Sequence, residues 1–115
     1  MTLVERDLVA TVVCEIERLT PNRGVAALID GTAVAVFLLD DGELLAVDNV
    51  DPVSGASILS RGLVGDAGGR TTVASPMFKQ RYDLRTGECL DRDDVRIGVH
   101  HVVVDEGVVK VRLGT

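Results

Sequence analysis

The chain has 115 residues, the length of one domain and enough to bury a core without disulfides or metal. Its formal net charge of −6 argues against nucleic acid, whose phosphates demand clustered Lys and Arg. No apolar run is long enough to cross a bilayer, and Met1-Thr2-Leu3-Val4-Glu5-Arg6-Asp7 lacks the apolar core of a signal peptide, so a cytoplasmic protein without a membrane role is expected.

Glu15-Ile16-Glu17-Arg18-Leu19 has room for one helical turn before Thr20-Pro21-Asn22-Arg23-Gly24 breaks it. Asp30-Gly31, between the apolar runs 25–29 and 33–39, predicts a two-residue hairpin because both residues tolerate positive φ. Asp40-Asp41-Gly42 leads into a further strand at 43–47. The stretch 54–70 carries five glycines and little periodicity, which predicts an ordered loop with one short helical turn near 58–63. A strand at 80–84 runs into the tight turn Arg85-Thr86-Gly87, and Asp105-Glu106-Gly107 joins runs 102–104 and 108–113 in a closing hairpin. Several of these runs are apolar on both faces, so the prediction is an all-β antiparallel sandwich or barrel covered on both sides. Residues 48–90 read as a loop-rich subdomain inserted into that single domain, residues 1–115.

Two segments carry the most information. Residues 75–88 read Ser-Pro-Met-Phe-Lys-Gln-Arg-Tyr-Asp-Leu-Arg-Thr-Gly-Glu, and Asp51-Pro52-Val53-Ser54-Gly55 precedes them. The longer run resembles the second cluster-binding loop of a Rieske iron-sulfur protein, Cys-Pro-x-His-Gly followed by an aromatic strand, Asp and a Thr-Gly turn. The shorter resembles the first loop, Cys-Pro-His followed by Gly. A Rieske [2Fe-2S] centre takes two Cys on one iron and two His on the other. Asp51, Val53, Ser75 and Phe78 stand at those four positions, and none supplies a thiolate or an imidazole. The resemblance therefore implies a Rieske-like fold without a cluster, in which the apolar Val53, Met77 and Phe78 fill the space of the lost metal.

Clusterless Rieske-like chains of this length resemble the small subunit of assimilatory NAD(P)H-dependent nitrite reductase. What that resemblance implies is a non-catalytic partner of a large subunit that holds FAD, siroheme and a [4Fe-4S] cluster and reduces nitrite to ammonium. This chain would stabilise or orient that subunit and carry no cofactor of its own. The alternative is a free-standing clusterless module that binds or regulates another oxidoreductase.

Lys79, Arg81, Tyr82 and Arg85 are the candidate docking patch, with Lys79 and Arg81 two apart on the expected strand and so on one face. Asp51 and Ser75 read as caps of their own loops, since a catalytic Ser needs a base and neither His lies in these segments. His100 and His101 are neighbours on a strand and point to opposite faces, so they cannot chelate one metal together. Cys14 and Cys89 lack metal-ligand spacing, and reduced thiols are expected of them. Gly65, Gly68 and Gly69 are followed by no helix with the Lys-Ser/Thr of a phosphate loop.

Overall fold

The computed structural model describes residues 10–114; the amino-terminal reading over Met1–Asp7 falls outside them. Nine strands are described: β1 (Thr11–Glu15), β2 (Gly24–Ile29), β3 (Thr32–Leu38), β4 (Leu44–Asp48), β5 (Leu63–Ala67), β6 (Arg70–Ala74), β7 (Arg81–Asp83), β8 (Val99–Asp105) and β9 (Val108–Arg112). A 3-10 turn at Ile16–Arg18 occupies the expected helical segment, and a second spans Leu59–Arg61. All strand pairs are antiparallel, forming a six-stranded sheet in the order β1-β9-β8-β4-β3-β2 and a three-stranded sheet β5-β6-β7. The six-stranded sheet curls into a nearly closed barrel.

The turn chemistry sets the registers. Ile29 pairs with Thr32 across Asp30 (φ 47°) and Gly31 (φ 83°), and Asp105 pairs with Val108 across Glu106 (φ 50°) and Gly107 (φ 78°). Two successive positive φ values give the turn whose twist matches that of the strands. The stretch 54–70 departs from expectation. It contains β5 and the first residue of β6, with Ala67 paired to Arg70 across Gly68 (φ 60°) and Gly69 (φ 88°). The glycines that obscured any periodicity are there for a hairpin turn.

β3 explains why apolar runs need not alternate. Val34, Ala35, Val36 and Phe37 are all fully buried, with Val34 and Val36 in one core and Ala35 and Phe37 in the other. The first core also holds Leu19, Ile29, Ala46, Val109 and Val111, enclosed by the curl of the large sheet. The second gathers Val47, Leu59, Val73, Tyr82, Leu84 and Ile97, and so joins the large sheet to the small one. Alternate residues of a strand face opposite sides, so a strand with a core on each side is apolar throughout.

Candidate functional site

Two loops meet beside the second core. The first leaves β4 and is pinned by Asn49: its N–H donates to the Ala33 carbonyl at 2.9 Å, its carbonyl accepts from Ile58 and Leu59, and its Oδ1 accepts from the Ser60 N–H at 2.6 Å. The second, residues 75–80, connects β6 to β7 from the pair Ala74 and Arg81. Asp51 lies at the head of the first loop, where the Val53 N–H donates to its Oδ1 at 2.9 Å and the Gly55 N–H to its carbonyl at 2.7 Å. Ser75 opens the second: its Oγ accepts from the Met77 N–H at 3.3 Å, and its carbonyl from the Lys79 N–H at 3.0 Å.

One buried hydrogen-bond network ties the loops together. Ser75 Oγ donates to Asp51 Oδ2 at 2.6 Å, while Asp51 Oδ1 accepts from Gln80 Nε2 at 2.8 Å and from the Tyr82 hydroxyl at 3.2 Å. Gln80 Nε2 also donates to the Tyr82 oxygen at 2.9 Å. Asp51, Ser75 and Tyr82 are fully buried and Gln80 nearly so. Burial pushes the Asp51 carboxyl up, but donors led by Ser75, the Val53 N–H and Tyr82 outweigh it, and the carboxyl sits below its ordinary value. Burial, reinforced by the charge of Asp51, pushes the Tyr82 hydroxyl up to about 12, which keeps it a donor. Among the described residues Gln80 Oε1 is the one buried side-chain polar atom without a partner: the amide nitrogen donates to Asp51 and Tyr82, and no donor reaches the oxygen.

Residues 10–112 match the family of Rieske-like [2Fe-2S] domains. Over 101 residues, 87% of this chain and 94% of the relative, the sequence is 38% identical to the nitrite reductase (NADH) small subunit of Salmonella typhimurium. The chain belongs to the nitrite reductase small-subunit family of Rieske-like domains. A crystal structure of a Mycobacterium tuberculosis protein described as an NADH-dependent nitrite reductase small subunit superposes with a TM-score of 0.88 at 47% identity, covering 93% of this chain and 97% of that one. A nitrite reductase [NAD(P)H] large subunit of Klebsiella oxytoca is 37% identical over 99 residues, which are 86% of this chain and 10% of that protein.

The family's cluster does not fit the residues present. The carboxylate of Asp51 and the hydroxyl of Ser75 are spent on each other, and the remaining two positions offer the hydrocarbons of Val53 and Phe78. No group of three or more His, Cys, Asp and Glu among the described residues is placed to hold a metal ion. The two loops are cross-linked here by hydrogen bonds.

The expectation that apolar side chains fill the vacated space is corrected. Phe78 is 56% exposed and Met77 is 53% exposed, while Val53 is half-buried. The interior goes to Asp51, Ser75, Gln80 and Tyr82, which hydrogen-bond one another and leave only Gln80 Oε1 without a partner, and the chain from Pro76 to Lys79 is left on the outside.

Lys79 and Arg81 line one hollow and Arg85 lies elsewhere. Lys79 precedes the strand, in a turn with φ 67°, and shares a hollow of about 410 Å³ with Val53, Phe78, Gln80, Arg81, Asp91 and Arg92. Arg81 pairs with Asp91 through Nε and Nη2, at 3.1 and 2.8 Å. Arg85 turns elsewhere, donating to Thr71 Oγ1 at 3.1 Å and to Glu43, beside a different hollow lined by Leu39, Asp40 and Asp41. Tyr82 cannot anchor a partner, since strand alternation puts its ring in the core opposite the exposed Arg81. Gln80, placed between two cations in sequence, gave no sign that its amide would be buried.

The histidines point apart, as their adjacency requires. His100 is largely buried, with Nε2 2.8 Å from Asp48 Oδ1 and Nδ1 accepting from the Gly114 N–H at 2.9 Å, which assigns the proton to Nε2; His101 is exposed. Cys14 and Cys89 are free thiols packed against different cores.

Proposed function

We propose that this chain is the non-catalytic small subunit of a cytoplasmic NAD(P)H-dependent nitrite reductase that makes ammonium for assimilation. It stabilises or orients the large subunit, which carries the FAD, siroheme and [4Fe-4S] groups. The observation that carries the reading is the closed network around Asp51: the place where a Rieske domain keeps its electron carrier is occupied by the chain's own donors and acceptors. A domain with nothing to oxidise or reduce acts through its surface. The Klebsiella relative supports the partnership, because there a domain like this one is part of a large subunit's own polypeptide. No helix among the described residues is long and apolar enough to cross a membrane.

The test is capture of the large subunit from the same organism by the tagged full chain, followed by NADH-driven nitrite consumption and the thermal midpoint of the large subunit with and without it. The expected result is a stoichiometric complex whose large subunit melts higher, because a partner that binds only the folded form stabilises it by mass action. If the large subunit ignores the chain in capture, melting and turnover, the reading as its partner fails. The alternative, a clusterless module for another oxidoreductase, then stands.

A further inference from the structure

The geometry points to the tip of the second loop, Met77-Phe78-Lys79, as the surface that docks the large subunit. This rests on the partnership proposed above and adds to it a location and a chemistry. Met77 and Phe78 are adjacent and each is more than half exposed, whereas the chain buries apolar residues in two cores and the interior beside this loop is filled by polar side chains. Exposed large apolar side chains scattered singly are ordinary, but Met and Phe are among the residues enriched at interfaces, and here they stand side by side on a constrained loop.

The loop is held in place before any partner arrives. Ser75 is tied to Asp51, its carbonyl accepts from Lys79 N–H, and its N–H donates to the Gln80 carbonyl at 2.9 Å, so both ends of the tip are fixed. Preorganisation of this kind lowers the ordering cost of association.

Charge selects the complementary surface. The domain is acidic overall, and in the hollow beside Phe78 the guanidiniums of Arg81 and Arg92 are neutralised by Asp91 and Asp94. Lys79 has no ion-pair partner among the described residues. The tip therefore presents an apolar pair with one uncompensated positive charge, and fits an apolar pocket on the large subunit rimmed by carboxylates. Gln80, whose Oε1 lacks a donor, lines the same hollow.

The experiment compares the wild-type full chain with a Met77→Glu/Phe78→Glu double variant, and with Leu63→Glu, which alters a 79% exposed leucine on β5, in titrations against the purified cognate large subunit. The double variant should bind at least about tenfold more weakly with an unchanged circular dichroism spectrum, whereas Leu63→Glu should stay within about twofold. Lys79→Glu should weaken binding and flatten its salt dependence. Equal binding by wild type and the double variant would overturn the tip as the docking surface while leaving the partnership intact. Equal weakening by Leu63→Glu would also overturn it. Failure of the wild type itself to bind would overturn the partnership on which the proposal rests.

Discussion

Asp51→Ala lowers the stability of the isolated chain by about 3–5 kcal/mol, since several buried donors lose their acceptor at about 1–3 kcal/mol each, a large fraction of the ~5–15 kcal/mol that holds a domain of this size together. The substitution removes little apolar contact. Its cost comes from taking the shared acceptor away from the buried donors of Ser75, Gln80 and Tyr82, with the part-buried Val53 N–H losing its partner as well. Ser75→Ala, which deletes one donor and leaves Asp51 its other three, costs less, about 1–3 kcal/mol. Urea unfolding at neutral pH measures both. The same carboxylate sets an acid limit. Its folded pKa lies below the unfolded value of about 3.9, so the unfolded chain takes up its proton first as pH falls. Its contribution is whole above that unfolded value and drains away as pH drops through the lower folded one. Asp83 adds to this in the same direction: burial raises its pKa, but Arg70 and the Arg85 and Thr86 N–H groups lower it further. Asp51→Ala should flatten the acid limb of stability against pH. An unchanged limb, with a loss below about 1 kcal/mol, would show that the network contributes little.

Gly87→Ala costs about 4 kcal/mol or more, at the far end of what one substitution does. Gly87 has φ 82°, its N–H donates to the Asp83 carbonyl at 2.8 Å, and its own carbonyl accepts from Ile97 at 2.9 Å. A Cβ there would lie 2.0 Å from the Ile97 carbonyl oxygen, a contact that only displacement of backbone can relieve. Gly31→Ala is the control. At φ 83° with nothing within 4 Å, it should cost only the left-handed strain of about 1–2 kcal/mol. Thermal or urea unfolding of the pair separates strain from collision. Similar losses would mean that the Thr86-Gly87 turn yields without disturbing Ile97.

Much of this was legible before any coordinates. Asp30-Gly31 announces its hairpin because few residues accept two positive φ values in succession, and Asp105-Glu106-Gly107 announces the last one by separating two Val-rich runs. Pro76, Asp83 and Thr86-Gly87 mark the loop and turn of a Rieske-like scaffold even though its metal ligands have been replaced. Tyr82 was also readable. If Arg81 faces solvent on a strand, its neighbour faces the core, and treating both as surface anchors ignores that alternation. Phe78 was not readable in this way. Hydrophobicity indicates what burial would stabilise, but not which side chain obtains the interior, and here a carboxylate, a hydroxyl, an amide and a phenol hydrogen-bond one another there. β5 was hidden for a different reason. Gly65, Asp66 and an exposed Leu63 leave a strand at the edge of its sheet with almost no alternation, so its pairing with β6 defines it more than its composition does.

Hydrogen bonds, and no iron-sulfur cluster, join the two loops of this domain. Iron and acid-labile sulfide, measured on the full-length chain purified anaerobically from an iron-sufficient host, test this most directly. The account predicts a colourless protein with neither component in stoichiometric amount, because Asp51, Val53, Ser75 and Phe78 provide no thiolate and no imidazole. Two irons and two sulfides per chain with a Rieske visible spectrum would contradict it.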